Sequence, residues 1–385
     1  MAEDWENGGF GLYIHWPYCE AKCPYCDFNS HVAQHIDHDA WRIAYLTELR
    51  KYAAETPGRT LHSVFFGGGT PSLMEPRVVA DIISEVRTLW PTANDLEITL
   101  EANPSSVEAG RFADFRQAGI NRVSMGIQAL NDEDLKRLGR LHNTTEALAA
   151  FDIARSTFDR VSFDLMYGRQ NQSLADWEKE LKQALSYAID HISLYQLTIE
   201  SGTAFGDRYA RGKLKGLPDE DLGADMYLAT QQICGEMGMP AYEVSNHARD
   251  GAQSRHNLIY WRYGDYIGVG PGAHGRMTVS GQRMATVCFS NPLKWLDNST
   301  VGSTEQPREV LSRTEQATEF LLMGLRLHEG ISTHRFAALS GQELSREKQA
   351  ELSDLGMISV AGDRLTVTNQ GFMVLNAVIE SLIPD

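Results

Sequence analysis

Six short apolar runs mark the first half of the chain: GLYIHW (11–16), SVFFGG (63–68), EITLEA (97–102), RVSMGI (122–127), RVSFDLMY (160–167) and HISLYQLTI (191–199). Each is rich in β-branched or aromatic residues and bounded by glycine or polar residues, which reads as a strand. Between most of them the period lengthens to that of a helix. In DHDAWRIAYLTELRKYAAE, Trp41, Tyr45, Leu49 and Tyr52 share one face, and Asp39 is placed to cap the start. LADWEKELKQALSYA is a second such helix. Strand–helix alternation predicts parallel strands with helices outside, as an open doubly wound sheet or a partial barrel. Several strands run into polar or glycine-rich ends, FFGGGTP, TLEANP, GIQAL and FDLMYG. Functional groups at strand C-termini are what a barrel-rim site requires. The expected fold is therefore α/β, a partial (β/α)6 barrel.

Beyond about residue 300 the pattern changes. VGSTEQPREVLSR reads as a polar linker, followed by the apolar helix TEQATEFLLMGLRLHEG. SREKQAELSDLGMI and a hairpin turning at Ala361–Asp363 complete a winged-helix-like order. Two domains are expected, residues 1–300 and 301–385. With few basic residues in the second, a packing or substrate-covering role is expected there and not DNA binding.

Composition narrows the classes. Hydrophobic residues make up 42% and charged residues 22% of 385, so the chain can bury a large core. The net charge of −16 argues against a general nucleic-acid binder, which needs clustered Lys and Arg. The start MAEDWENGGF is acidic and lacks an apolar run, so no secretory leader is expected. No run of about 18 apolar residues predicts a membrane span. Five cysteines without a leader make a disulfide framework unexpected and point to reducing cytoplasm. Cys234 and Cys288 stand alone and read as structural.

The other three lie in YCEAKCPYCDFNS, at Cys19, Cys23 and Cys26. Structural zinc takes four ligands, and only one C-x-x-C pair exists here. His31, His35 or His38 stand near enough to complete a zinc site, although DHDAW looks more like a helix start. A redox C-x-x-C is a further alternative. A [4Fe–4S] cluster explains a three-thiolate set, because it leaves one iron free for an exogenous ligand. Here C-x3-C-x-Tyr25-C, after the first strand, resembles the radical S-adenosylmethionine (SAM) superfamily signature. That resemblance implies reductive cleavage of SAM by the cluster, with hydrogen abstraction from a substrate by a 5′-deoxyadenosyl radical. Trp16, Tyr25 and Phe28 would shield the cluster.

The resemblance extends to GGGTP, EANP, LGRLH, FDLMYG, YQLTIE and HNLIYWRYGDYIGVGPGAHG, in order along nearly the whole chain. It is greatest to the coproporphyrinogen III oxidase-like branch. That branch implies SAM contacts from Tyr13, Tyr25, Gly68, Gly69, Thr70, Glu101, Gln128, Arg140 and Asp164. Glu101 and Gln128 would meet ribose hydroxyls, and Arg140 the methionine carboxylate. The segment GRQNQ (168–172) departs from the branch, which has a proline there, and its loss should loosen that loop. GVGPGA (268–273) imitates a dinucleotide fingerprint without the following helix and is not read as one.

The branch contains two functions, an oxygen-independent coproporphyrinogen III oxidase and a haem chaperone. The oxidase resembles C-x3-C-x2-C-x-C, whereas this chain has Phe28 at the last position, and only 18 residues precede Cys19. HNLIYW (256–261) resembles the chaperone's H-N-x-x-Y-W motif, in which His256 would support haem binding with Tyr260 and Trp261 against the porphyrin. His274 is a second haem candidate. The expectation is a haem chaperone that holds a 4Fe-4S cluster, SAM and haem. It would deliver haem to acceptor haemoproteins such as respiratory enzymes. Oxidase activity is not expected, SAM cleavage is left open, and a low-potential electron donor and a homodimer are implied.

Overall fold

The computed structural model describes residues 3–384. Its centre is an 11-stranded sheet. The six expected runs form β1 (Phe10–Trp16), β2 (Leu61–Gly68), β3 (Thr92–Ala102), β4 (Arg122–Gln128), β5 (Arg160–Tyr167) and β6 (His191–Gln196). They lie side by side in chain order and pair parallel throughout. β7 (Asn246–Ala248) closes one edge antiparallel to β6. On the other side β8 (Asp265–Val269) pairs parallel with β1. Beyond it run the antiparallel β9 (His274–Val279), β10 (Gln282–Val287) and β11 (Glu309–Val310). The edges β7 and β11 do not pair with each other, so the barrel is partial.

Helices α1 (His38–Glu55), α2 (Pro76–Leu89), α3 (Phe112–Ala118), α4 (Thr144–Thr157) and α5 (Leu174–Tyr187) connect successive parallel strands. The apolar face expected for α1 is the one buried, with Trp41, Tyr45, Leu49 and Tyr52 all at 2% exposure or less. Each such side chain contributes about 1.5–3 kcal/mol by leaving water. Trp41 also stacks on Trp295, with centroids 5.5 Å apart. The cap is Asp37 and not Asp39, since Asp37 accepts from the Ala40 amide at 3.0 Å. Asp39 points outward to Arg77 at 2.9 Å.

The six expected parallel strands are all present; one more strand joins them, and two further expectations need correction. The seventh parallel strand, β8, was hidden because its run is short and follows directly on HNLIYWRYG. The segment read as a linker is sheet edge: β11 pairs with β10, Thr304 donates to Glu48, and Arg308 pairs with Glu55. Its polar composition is that of a solvated edge strand, which blunts edge-to-edge pairing. The apolar helix after it ends at Gly324, six residues short of the run that suggested it.

A second core gathers Phe320, Leu321, Phe336, Leu365, Val378 and Ile379 around the three-stranded sheet of β12 (Ile331–Ser332), β13 (Ile358–Ala361) and β14 (Arg364–Val367). The hairpin between β13 and β14 turns at Gly362, whose φ of +60° suits glycine. Tyr263, from the loop before β8, packs into this core. Among the described residues, no helix is long and apolar enough to cross a membrane.

Candidate functional site

The loop after β1 carries Cys19, Cys23 and Cys26, all partly exposed and none in a disulfide. The three thiols and Tyr25 line one cleft of about 750 Å³, counted with its open mouth. Burial pushes the Cys19 and Cys26 thiols above the ordinary range. Among the described residues, no three or more His, Cys, Asp or Glu side chains converge on a single-ion site. Of the nearby histidines, His31 and His35 are exposed, and His38 stacks on Trp16 at 5.6 Å. In an iron–sulfur cluster each thiolate takes a different iron, so its sulfurs stand apart, as separate thiols around one cleft can.

The turn after β2 forms a second wall. Gly69 donates to the Trp16 carbonyl at 2.7 Å and Thr70 to the Tyr18 carbonyl at 2.9 Å. A Cβ on Gly69 would lie 2.7 Å from that Tyr18 oxygen, so only glycine lets the two backbones meet. Gly68, at φ +111°, donates to the Glu101 carboxylate at 3.2 Å.

The strand ends supply the floor. Glu101, Gln128 and Asp164 all line the same cleft. Asp164 lies three residues before the end of β5 and not at its end, and it accepts from Ser124 at 3.4 Å. Burial, and then the neighbouring Asp164, raise Glu101 to about 8. Burial raises Asp164 to about 6 against the opposing pull of hydrogen bonds and the Arg122 guanidinium. Two carboxylates sharing a poorly solvated floor favour a cationic or hydroxyl-rich ligand above them. Gln128 has φ +74° at a bulge in β4, an uncommon conformation for a side-chain-bearing residue that sets it into the cleft.

Arg140 reaches across from the loop after β4. It donates to Asn103 at 2.6 Å, to the Gly126 carbonyl at 2.8 Å and to Cys23 Sγ at 3.4 Å. Asn103 also donates to Thr70 at 3.2 Å, which ties three strand ends together. Sequence reading assigned no role to Asn103, Ser124 or Arg122. The first lay in the quoted EANP segment, whereas the other two sit inside apolar strands and gave no signal. Tyr13 is the exception among the residues expected here, because it lines the neighbouring cleft.

That neighbouring cleft shares Phe28, Gly68 and Glu101 with the first. Its walls are aromatic: Tyr260 and Trp261 from α6 (Arg255–Trp261) and Tyr266 from β8, with Met323 from the C-terminal unit. Tyr260 and Tyr266 meet edge to face at 4.2 Å.

His256, expected to support haem binding, does not line this cleft. It is 2% exposed and stacks on Phe65 at 4.8 Å. Its Nδ1 pairs with Ser63 Oγ at 2.8 Å and its Nε2 with Tyr260 Oη at 2.7 Å. Burial, and then Arg122, push its pKa down to about 3. His274, by contrast, is exposed and lines the cleft.

GVGPGA ends β8 and makes the turn into the antiparallel β9, with no helix after it. The GRQNQ loop is anchored by buried ion pairs. Arg169, 3% exposed, pairs with Glu180 at 2.5 Å and Asp134 at 3.0 Å, replacing the rigidity a proline would give. Cys234 and Cys288 are buried, and burial pushes both thiols to about 12.

The chain is similar in sequence and fold to known proteins. The Radical SAM superfamily profile matches residues 13–184, and the HemN C-terminal domain profile matches residues 311–374. The chain is 38% identical over 379 residues to "Heme chaperone HemW" of Escherichia coli (strain K12), covering 97% of this chain and 98% of that protein. It is also 38% identical over 384 residues to "Radical S-adenosyl methionine domain-containing protein 1, mitochondrial" of Bos taurus, covering 97% and 87%. The solved coproporphyrinogen III oxidase (HemN) of Escherichia coli superposes with a TM-score of 0.80 at 20% identity, covering 97% and 90%, which establishes the shared fold. With both profiles matched and the HemW relative similar over nearly its whole length, the chain belongs to the radical SAM superfamily, in its HemN/HemW branch.

Proposed function

We propose that this protein is a haem chaperone: it binds haem beside a SAM-ligated 4Fe-4S cluster and hands the haem to acceptor haemoproteins. The observation that carries the reading is the aromatic cleft that shares Phe28, Gly68 and Glu101 with the cysteine cleft. Tyr and Trp present flat apolar faces with a polar edge, which suits a porphyrin with a wet rim. A thioether such as Met323 adapts to such a surface. Phe28 stands where the oxidase-type signature has a further cysteine, and the HemW relative is similar along its whole length.

Within the cysteine cleft, Cys19, Cys23 and Cys26 would hold the cluster, which supplies a low-potential electron to SAM when bound. Gly68, Gly69 and Thr70 would receive the methionine end through backbone groups. Arg140 enters no ion pair among the described residues and is available to a ligand carboxylate. Glu101, Gln128 and Asp164 would take the ribose and the positive charge. Tyr13 belongs to the haem side in this reading. A low-potential reductant, respiratory-type acceptors and a homodimer are the implied partners, with no nucleic acid. The free thiols suit a reducing compartment such as the cytoplasm.

The competing function, coproporphyrinogen III oxidation, is tested with anaerobically reconstituted protein, SAM, reductant and coproporphyrinogen III. We expect no doubly decarboxylated product while a working oxidase runs in parallel. Product over many turnovers would overturn the chaperone assignment.

A further inference from the structure

Three histidines stand at or beside the aromatic cleft, and their hydrogen bonds separate them. His15 is held through Nδ1 by Tyr13 Oη at 3.0 Å and through Nε2 by the Asn29 carbonyl at 3.0 Å. His256 lies behind Tyr260 with both ring nitrogens occupied. The His274 ring makes no hydrogen bond to any described residue, is exposed, and stands among the cleft-lining residues Tyr260, Trp261, Tyr266 and Met323. An imidazole can ligate iron only through a nitrogen whose lone pair is free.

The backbone around His274 is built to fixed positions. It opens β9 directly after the turn at Gly270 and Gly272, whose φ values are +120° and +74°. A Cβ on Gly270 would lie 2.3 Å from the His15 carbonyl oxygen, and one on Gly272 would lie 2.6 Å from the Asn29 amide nitrogen. The His274 carbonyl in turn packs where a Cβ on Gly268 would fall, at 2.2 Å. The turn is thereby pinned to β1 and to the cysteine loop while the imidazole stays free.

Resting on the haem reading of this cleft, we propose that His274 is the protein ligand to the haem iron and that His256 acts through Tyr260 as a positioning residue. His256 bridges Ser63 and the Tyr260 hydroxyl, which fixes the ring against which the macrocycle packs.

The test is haem titration of the full-length protein, read by visible absorption and by resonance Raman of the ferrous form. His274→Ala should lose the iron–histidine band and bind haem ~tenfold or more weakly. Added imidazole should restore a nitrogen-ligated spectrum to it. His274 is exposed, so the variant should melt like wild type. His256→Phe should keep the iron–histidine band with weakened affinity, and His256→Gln, which can still bridge Ser63 and Tyr260, should recover most of it. Loss of the band in His256→Gln with its retention in His274→Ala would overturn the assignment while leaving the haem reading intact. Failure of wild type to bind haem at all would overturn the haem reading and the assignment with it.

Discussion

Asn29 donates from its side-chain amide to the carbonyl oxygen of Pro271 at 2.9 Å, across 242 residues of sequence. The same amide reaches the Ser290 carbonyl at 2.8 Å. The first bond joins the cysteine loop to the turn that presents His274, and the second joins it to the segment after β10. Each contributes about 1 kcal/mol. Asn29→Ala should therefore lower stability by about 1–2 kcal/mol in denaturant titration and weaken haem binding several-fold, with bound iron and sulfide unchanged. Loss of iron with haem binding intact would contradict the link.

The three loop cysteines and the two buried ones should separate cleanly. After anaerobic reconstitution, wild type should hold about four irons per chain. Cys19→Ser, Cys23→Ser and Cys26→Ser should each lose most of that iron and its broad visible absorption. Cys234→Ser and Cys288→Ser should keep it, at some expense of thermal stability, because both thiols are packed in the core.

Glu101 and Asp164 make a pH prediction with a definite sign. Burial lifts Glu101 from 4.5 to about 8 and Asp164 from 3.8 to about 6. In those windows the folded chain holds protons that the unfolded chain has released, so stability falls as pH rises. The cofactor-free protein should lose on the order of 1 kcal/mol per carboxyl between pH 4.5 and 8, since both face an open cleft. Glu101→Gln should flatten the upper part of that decline and bind SAM less tightly. A melting temperature that climbs through the same window would contradict the account.

Gln128 carries backbone strain at φ +74°. Gln128→Gly removes the strain but loosens the unfolded chain, so stability should stay within about 1 kcal/mol of wild type. SAM affinity, measured by equilibrium binding to the reconstituted protein, should fall. Equal affinity in the two would show that the strained residue does not serve the ligand.

Phe28 is 61% exposed and belongs to both clefts. An aromatic contact of this kind is worth about 0.5–1.5 kcal/mol. Phe28→Ala should weaken haem binding by roughly three- to tenfold, with cluster content unchanged.

The readable features of the chain were those whose signal is local. The cysteine spacing, the six apolar runs and the glycines of GGGTP each declare themselves within a few residues, and the structure brings them to one rim. His256 and His274 were not separable in that way. Which imidazole is free depends on how α6 lies over Ser63 of β2, a contact between residues 193 positions apart. Arg169 is a similar case, since a buried pairing with Asp134 and Glu180 replaces a proline that local sequence shows only as missing. The polar stretch 301–313 misled because an edge strand and a linker have the same composition.

The most direct test of the chaperone claim is transfer of haem from the loaded protein to an apo-haemoprotein, followed by the Soret band of each after separation. The account predicts that the acceptor gains holo-protein activity as this protein loses its haem, with His274→Ala impaired. Haem that stays bound, or that reaches the acceptor no faster than free haem does, would contradict it.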